Sequence, residues 1–222
     1  MQNLLHMSID DVNASLRRIT SNCYNSIYED KFFCYLRFLH SLFGLKVSLY
    51  VYAHDREWLL ADVLERYKQE FEDASEWLKF GFHAVSDEQK ENNHIANFED
   101  AFIETGKQIE RFAGKKSITT ILRLHYWFYP RPYLEVLRNH GVQTILIKEG
   151  QQIESMGLNQ WVTNIRIEQD TMRQIFCKIS HHENNQPLVV FTHEWALNRK
   201  NKIKLTMTVA LLRLKGYKFI CE

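Results

Sequence analysis

Leu188-Val189-Val190-Phe191-Thr192-His193-Glu194-Trp195 is the stretch on which the reading of this chain turns. Residues 188–192 are a near-continuous apolar run. It is too short for most helices and suits a central strand buried on both faces, as in parallel sheets. The run delivers an imidazole, a carboxylate and an indole at its C-terminal tip. Outward from it, residues 161–167 read as another strand and 171–179 as a weaker helix on the N-terminal side. Residues 203–214 read as a helix and 217–221 as a last strand on the other.

The same alternation runs back to the beginning. Expected strands are 4–9, 45–53, 78–82, 117–129 and 142–147, and expected helices are 30–43, 57–72 and 93–112. A further helix begins in the first turn at Pro132, ends near Asn139 and is closed by Gly141. Gly44 and Gly114 supply C-terminal stops. The longest structureless candidate is 148–160. About seven or eight strands alternating with helices define an α/β fold with a mainly parallel sheet.

The chain has 222 residues, enough for one domain (1–222) that buries about 70% of its unfolded surface. Lys plus Arg is 28 against 27 for Asp plus Glu, so there is no electrostatic footprint for nucleic acid. The basic run Arg199, Lys200, Lys202 and Lys204 reads as a solvated helix face. Cys23, Cys34, Cys177 and Cys221 lack zinc-knuckle and C-x-x-C spacing and are expected as buried thiols. Residues 1–9 do not look like a secretion signal, and no run reaches the ~18 apolar residues of a membrane span. The expectation is therefore a soluble, cytoplasmic protein of unknown oligomeric state.

Polar residues collect at one kind of place. Asp10 and Asp11, His54 and Asp55, His83, His125, and His193 with Glu194 all fall at C-terminal ends of expected strands. In open α/β sheets and barrels those ends share one face, where sites are built. One carboxylate of the Asp10-Asp11 pair suits a hard ligand to a divalent cation and the other a base beside it. The plain alternative is a helix N-cap. Asp87 lies four residues after His83, and the two share a face if the loop makes a helical turn. His125 has the strand parity of Arg123. Either Asp87 or His125 could be the third ligand. His193 is placed to donate a proton, Glu194 and Trp195 to orient it and wall the pocket, and Tyr126, Trp127 and Trp195 to stack on sugar faces. Trp195 reads equally well as core.

Ser8-Ile9-Asp10-Asp11, Gly81-Phe82-His83, the Arg123-to-His125 strand and Phe191-Thr192-His193, in that order, resemble the polysaccharide deacetylases, the NodB-type carbohydrate esterases. The resemblance covers nearly the whole chain. It implies an irregular (β/α) barrel of about seven strands and removal of an N-acetyl or related acyl group from a sugar. The implied roles are Asp10 as base, Asp11 and His83 as metal ligands and His193 as acid. The implied ion is Zn, with Co, Ni or Mn as alternatives. The family's second metal histidine, four places after the first, is Asp87 here, and its Arg-containing Pro-Pro-Tyr-Gly motif is loosely echoed by Arg131-Pro132-Tyr133. Leu122-Arg123-Leu124-His125-Tyr126-Trp127 is similar to a motif of divergent cytoplasmic members, with His125 in place of the missing ligand. The implied substrate is a cytoplasmic intermediate of surface polysaccharide synthesis. Two rivals stand beside it. One is an inactive carbohydrate-binding or scaffold protein on the same fold. The other is a metal-free glycoside hydrolase using Glu194 with Asp10 or Asp11. No G-x-S-x-G elbow supports a serine hydrolase.

Overall fold

In the computed structural model, which describes residues 3–88, 97–183 and 185–222, strand β1 (Leu4–Asp10) leads to helix α1 (Ala14–Ser21) and then α2 (Lys31–Phe43). Strand β2 (Val47–Tyr52) follows, with the hairpin β3 (His54–Asp55) and β4 (Trp58–Leu59), helix α3 (Lys68–Asp73) and strand β5 (Leu78–Ala84). After α4 (Phe98–Ala113) come β6 (Ile121–Leu122), α5 (Arg131–Asn139), β7 (Thr144–Ile147) and β8 (Asn159–Arg166). The chain ends with α6 (Met172–Ser180), β9 (Leu188–His193), α7 (Arg199–Leu214) and β10 (Lys218–Ile220).

Seven strands lie side by side in the order β5-β2-β1-β9-β8-β7-β6, and β10 pairs with the start of β1. All these pairings are parallel. A parallel bridge between Phe80 and Ile118 brings the two edges together, so the sheet is a nearly closed, irregular barrel. Gly81 makes that closure possible, because a Cβ there would stand 2.6 Å from Leu122 Cδ2 and 2.8 Å from Thr119 Cγ2.

The pleat sorts the strands. Leu5, Met7 and Ile9 of β1, with Val47, Leu49 and Val51 of β2, join the main hydrophobic core beneath the helices. A fully buried side chain such as Leu5 or Phe71 is worth about 1.5–3 kcal/mol there. The alternate residues His6, Ser8 and Asp10 face inward beside Ser48, Tyr50 and Tyr52 and are also buried. The barrel interior is therefore polar. Two bulges shift this alternation, since Val51 pairs with Phe82 while Tyr52 pairs with Ala84, and Thr163 pairs with Val189 while Ile165 pairs with Val190. His83 and Asn164 are the extra residues.

The α/β alternation and the barrel agree with expectation, and so does the helix over 30–43. Asp30 caps that helix by accepting from Phe32 N at 2.8 Å, and Gly44 ends it at φ 70°. Several elements differ. Helix α1 was not expected. The helix expected over 57–72 is a hairpin strand and two short 3-10 turns, with α-helix only in α3. Arg111 of α4 donates to the carbonyls of Ala61 and Val63, so those oxygens serve a guanidinium rather than helical amides. The strand expected over 117–129 survives only as β6, flanked by 3-10 turns at Lys115–Ser117 and His125–Trp127. Of the helix expected over 93–112, residues 93–96 lie outside the described residues. Cys23, Cys34 and Cys177 are exposed, contrary to expectation, because they sit on turn or helix faces turned to water, and only Cys221 is buried. Among the described residues no helix is long and apolar enough to cross a membrane.

Candidate metal centre

Asp10 and Asp11 end β1 side by side, and the backbone decides how both reach the site. Asp11 adopts a left-handed φ of 62°, so it does not continue the pleat that would send it away from Asp10. Neither caps a helix. Asn13 precedes α1, and its side chain instead clasps the backbone of Tyr52, donating to the carbonyl at 3.0 Å and accepting from the amide at 2.8 Å.

Asp10 is 2% exposed and paired with the equally buried Arg123, whose Nη1 donates to both carboxylate oxygens at 2.9 and 3.1 Å and to Ser8 Oγ at 3.0 Å. Arg123 Nη2 reaches Thr163 Oγ1 at 3.3 Å, and the guanidinium lies 4.1 Å over the Phe191 ring. Arg123 thus fixes the orientation of the Asp10 side chain and, 1% exposed, does not line an open pocket. The expected parity between Arg123 and His125 does not apply, because the strand has ended and Tyr126 and Trp127 take left-handed φ values of 56° and 53°.

His83, at the bulge of β5, donates from Nδ1 to the Arg123 carbonyl at 2.7 Å. That bond fixes the tautomer and leaves the Nε2 lone pair free. Nε2 lies 3.4 Å from Asp11 Oδ1, 3.2 Å from His125 Nδ1 and 3.9 Å from Asp10 Oδ2. One ligand atom each from Asp11, His83 and His125 falls within 4.8 Å of the others. Donors bound to one tetrahedral cation at about 2.0–2.2 Å stand roughly 3.3–3.6 Å apart, so two of these spacings are already near that size. Two imidazole nitrogens facing each other at 3.2 Å suit a shared cation. His125 Nε2, buried, has no hydrogen-bond partner among the described residues. The donor set, two nitrogens and one oxygen from three separate elements, fits zinc and related divalent ions. Asp87 is exposed in the turn after β5 and stays outside this group, because that turn is not helical and does not bring position 87 over His83.

Tyr52 and Trp195 hold Asp11 from either side. The Tyr52 hydroxyl donates to Oδ1 at 2.5 Å and stands 3.2 Å from His125 Nδ1, and Trp195 Nε1 donates to Oδ2 at 2.9 Å. Burial works to raise the Asp11 pKa, but His83, the Tyr52 bond, His193 and the Trp195 bond outweigh it and hold the carboxyl below its usual range. Burial pushes His125 down to about 4, so it offers a lone pair at neutral pH. Trp195 is 71% exposed, so it is not core, and its ring stacks on His193 at 4.9 Å.

His193 donates from Nδ1 to Glu168 Oε1 at 2.9 Å. Burial alone would lower its pKa, yet the Glu168 bond and the charges of Asp10 and Asp11 raise it above the ordinary value. Glu168, in the turn after β8, is correspondingly lowered against its own burial by the His193 bond. Glu194, expected to orient His193, points the other way. Its carboxylate accepts from Ser15 Oγ at 2.5 Å, Ser15 N at 3.2 Å and Arg18 Nη2 at 3.1 Å. The turn after β9 sends consecutive side chains to opposite sides, so Glu194 anchors α1 and is lost to a carboxylate pair with Asp10 or Asp11. His54 and Asp55 form the β3–β4 hairpin, where Asp55 lies 3.5 Å from Arg17, outside the cluster. Arg131 is exposed on α5 and bonded to Glu135 at 3.1 Å. Tyr126 and Trp127 line a groove of about 810 Å³ with Arg131 and residues 148–154. Glu168 and Tyr52 were missed by the sequence reading, although both stand at strand ends.

The irregular, nearly closed parallel barrel defines the class of fold, and solved structures share that fold. Twenty-six chains match. A Bc1960 peptidoglycan N-acetylglucosamine deacetylase is 11% identical over 99% of this chain and 86% of its own, with a TM-score of 0.61. A family 4 carbohydrate esterase from Streptomyces lividans in complex with acetate is 13% identical over 97% and 90%, at 0.55. A CE4 family pseudoenzyme from Bacillus anthracis is 9% identical over 98% and 63%, at 0.54. The fold is therefore that of the NodB-type, CE4-family deacetylases. No protein-family model and no curated protein sequence matches the chain.

Proposed function

We propose that the chain is a metal-dependent hydrolase that removes an N-acetyl or related acyl group from an amino sugar. The observation that carries this reading is the convergence of Asp11, His83 and His125 within 4.8 Å, between the buried carboxyl of Asp10 on one side and the imidazole of His193 on the other. A divalent cation there, Zn most plausibly by its donor set, would supply Lewis acidity and lower the pKa of water towards about 7. Asp11, His83 and His125 would hold it.

The chain's own groups do the rest. Asp10, held by Arg123 in one orientation, accepts the proton of the attacking water. His193, whose protonated form the Glu168 bond favours, hands a proton to the nitrogen that leaves, so the products are a free amine and a carboxylate. Trp195 and Trp127 wall the site and suit the faces of a sugar ring. The inactive-relative reading has support in the Asp87 position and in the pseudoenzyme that shares the fold. The glycoside hydrolase reading loses its second carboxylate, because Glu194 is bound to Ser15 and Arg18.

Acetate release from N-acetylated amino sugars, measured beside metal content, tests the proposal. The purified protein should take up one equivalent of zinc and release acetate. His83→Ala should lose both. Asp10→Asn should keep zinc and lose about 10²–10⁴-fold in rate. Release that is equal in native protein and Asp10→Asn, or no metal taken up at micromolar concentration, sinks the reading.

A further inference from the structure

Two guanidinium groups flank the same pair of rings inside the barrel mouth. Arg123 lies 4.1 Å over Phe191 and is neutralised by Asp10. Arg166, at the end of β8, lies 4.5 Å from the Trp127 ring centroid and 5.4 Å from that of Phe191. Its position is a consequence of the Asn164 bulge. Thr163 faces inward opposite Val189, and a regular strand would place Ile165 on that side and Arg166 on the other. The extra residue reverses the order, so Ile165 joins the outer core while Arg166 pairs with Phe191 and turns inward. Asn164 secures the bulge by accepting from Val189 N at 2.8 Å.

Unlike Arg123, Arg166 has no carboxylate within 4 Å among the described residues, and its side-chain hydrogen bond is a 3.3 Å contact with Gln169 Oε1. The two acids nearest in sequence are engaged elsewhere. Glu168 accepts from His193, and Asp170 accepts from Lys178 at 2.8 and 2.9 Å and from the Arg166 backbone amide at 2.8 Å. A half-buried cation between aromatic walls, beside a second guanidinium, is costly without a counter-charge. Burial and the nearby Arg123 accordingly pull its pKa below the ordinary arginine value. Along β9, Phe191 stands two residues before His193, a separation of roughly 6.6 Å. An anion on Arg166 would therefore sit close beside the acid that serves the leaving nitrogen.

We propose that Arg166 binds an anionic substituent, phosphoryl or carboxylate, carried by the sugar whose acyl group is removed. The inference rests on the deacetylase reading and deepens it by naming the substrate class. Acetate release is compared for N-acetylglucosamine, its 1-phosphate and the corresponding uronic acid, with native protein, Arg166→Gln and Arg166→Lys. At least one anionic sugar should exceed the neutral one in kcat/KM by about 10–100-fold. That ratio should collapse towards one in Arg166→Gln and stay intermediate in Arg166→Lys, with thermal midpoints showing that the variants fold. The responding arm tells phosphoryl from carboxylate. A ratio near one in native protein, or one that Arg166→Gln leaves unchanged, overturns the assignment. If no sugar yields acetate, the deacetylase reading fails. The affinity ratio of the same three sugars, read by calorimetry, then decides Arg166 by the same criterion.

Discussion

The two ends of the barrel interior are built from inward-facing residues of neighbouring parallel strands, yet they are organised in opposite ways. At the N-terminal end of the strands, Tyr50 donates to the Ile121 carbonyl at 2.8 Å and Thr119 to the Cys221 carbonyl at 3.2 Å, in regular backbone closed by β10. His6 there is fully buried and pushed down to about 3 by burial and by Arg123, so it is neutral. At the C-terminal end stand the Asp10–Arg123 and Glu168–His193 pairs and left-handed backbone at Asp11, Tyr126 and Trp127. Polar groups bonded largely to backbone, with the buried Lys79 paired to Glu222, hold one end together. The other end keeps charge and strain in a low-dielectric setting, the condition in which positioned charges act on a substrate.

The largest test of this contrast is Arg123→Met, which leaves Asp10 as an uncompensated buried carboxylate. Urea unfolding should show a loss of about 3–5 kcal/mol, and adding Asp10→Asn should recover part of it. A loss below about 1 kcal/mol would remove the contrast. Next comes His6. Its folded pKa lies below the unfolded value, so folded protein refuses a proton that unfolded protein accepts. Stability is therefore full above about pH 6.5 and falls as pH drops towards 3. The cost reaches about 2 kcal/mol at pH 5, and His6→Gln should remove that part of the acid sensitivity in paired melts at pH 7 and 5.

The smallest effect separates two glutamates. Activity that needs protonated His193 is present at low pH and falls as pH rises through a pKa held above its ordinary value. Glu168→Gln removes the main support for that shift and should move the basic limb of the pH–rate profile to lower pH. Glu194→Gln should leave the limb in place and cost about 1–2 kcal/mol of stability through the Ser15 and Arg18 bonds. Limbs that move together would mean that Glu194 also serves the site.

Those glutamates also mark where sequence reading stops. Strand-end position brings residues 10, 11, 83, 125 and 193 to one rim, because parallel strands share a direction and their ends a rim. It does not distinguish Glu194, which the turn carries to α1, from Glu168, one strand over. Nor does it say that His125 sits in a left-handed turn rather than on a strand, or that Asp87 stays in solvent.

The amino-acid order alone determined the α/β alternation, the parallel sheet and most of the polar residues that gather at its rim, because hydrophobic periodicity and turn residues act locally. Tertiary structure decided which of those residues meet. Two bulges, the left-handed backbone at Asp11 and after His125, and Arg111 capturing the carbonyls of residues 61 and 63 all depend on neighbours distant in the chain. No local pattern encodes such contacts, and they aim the side chains.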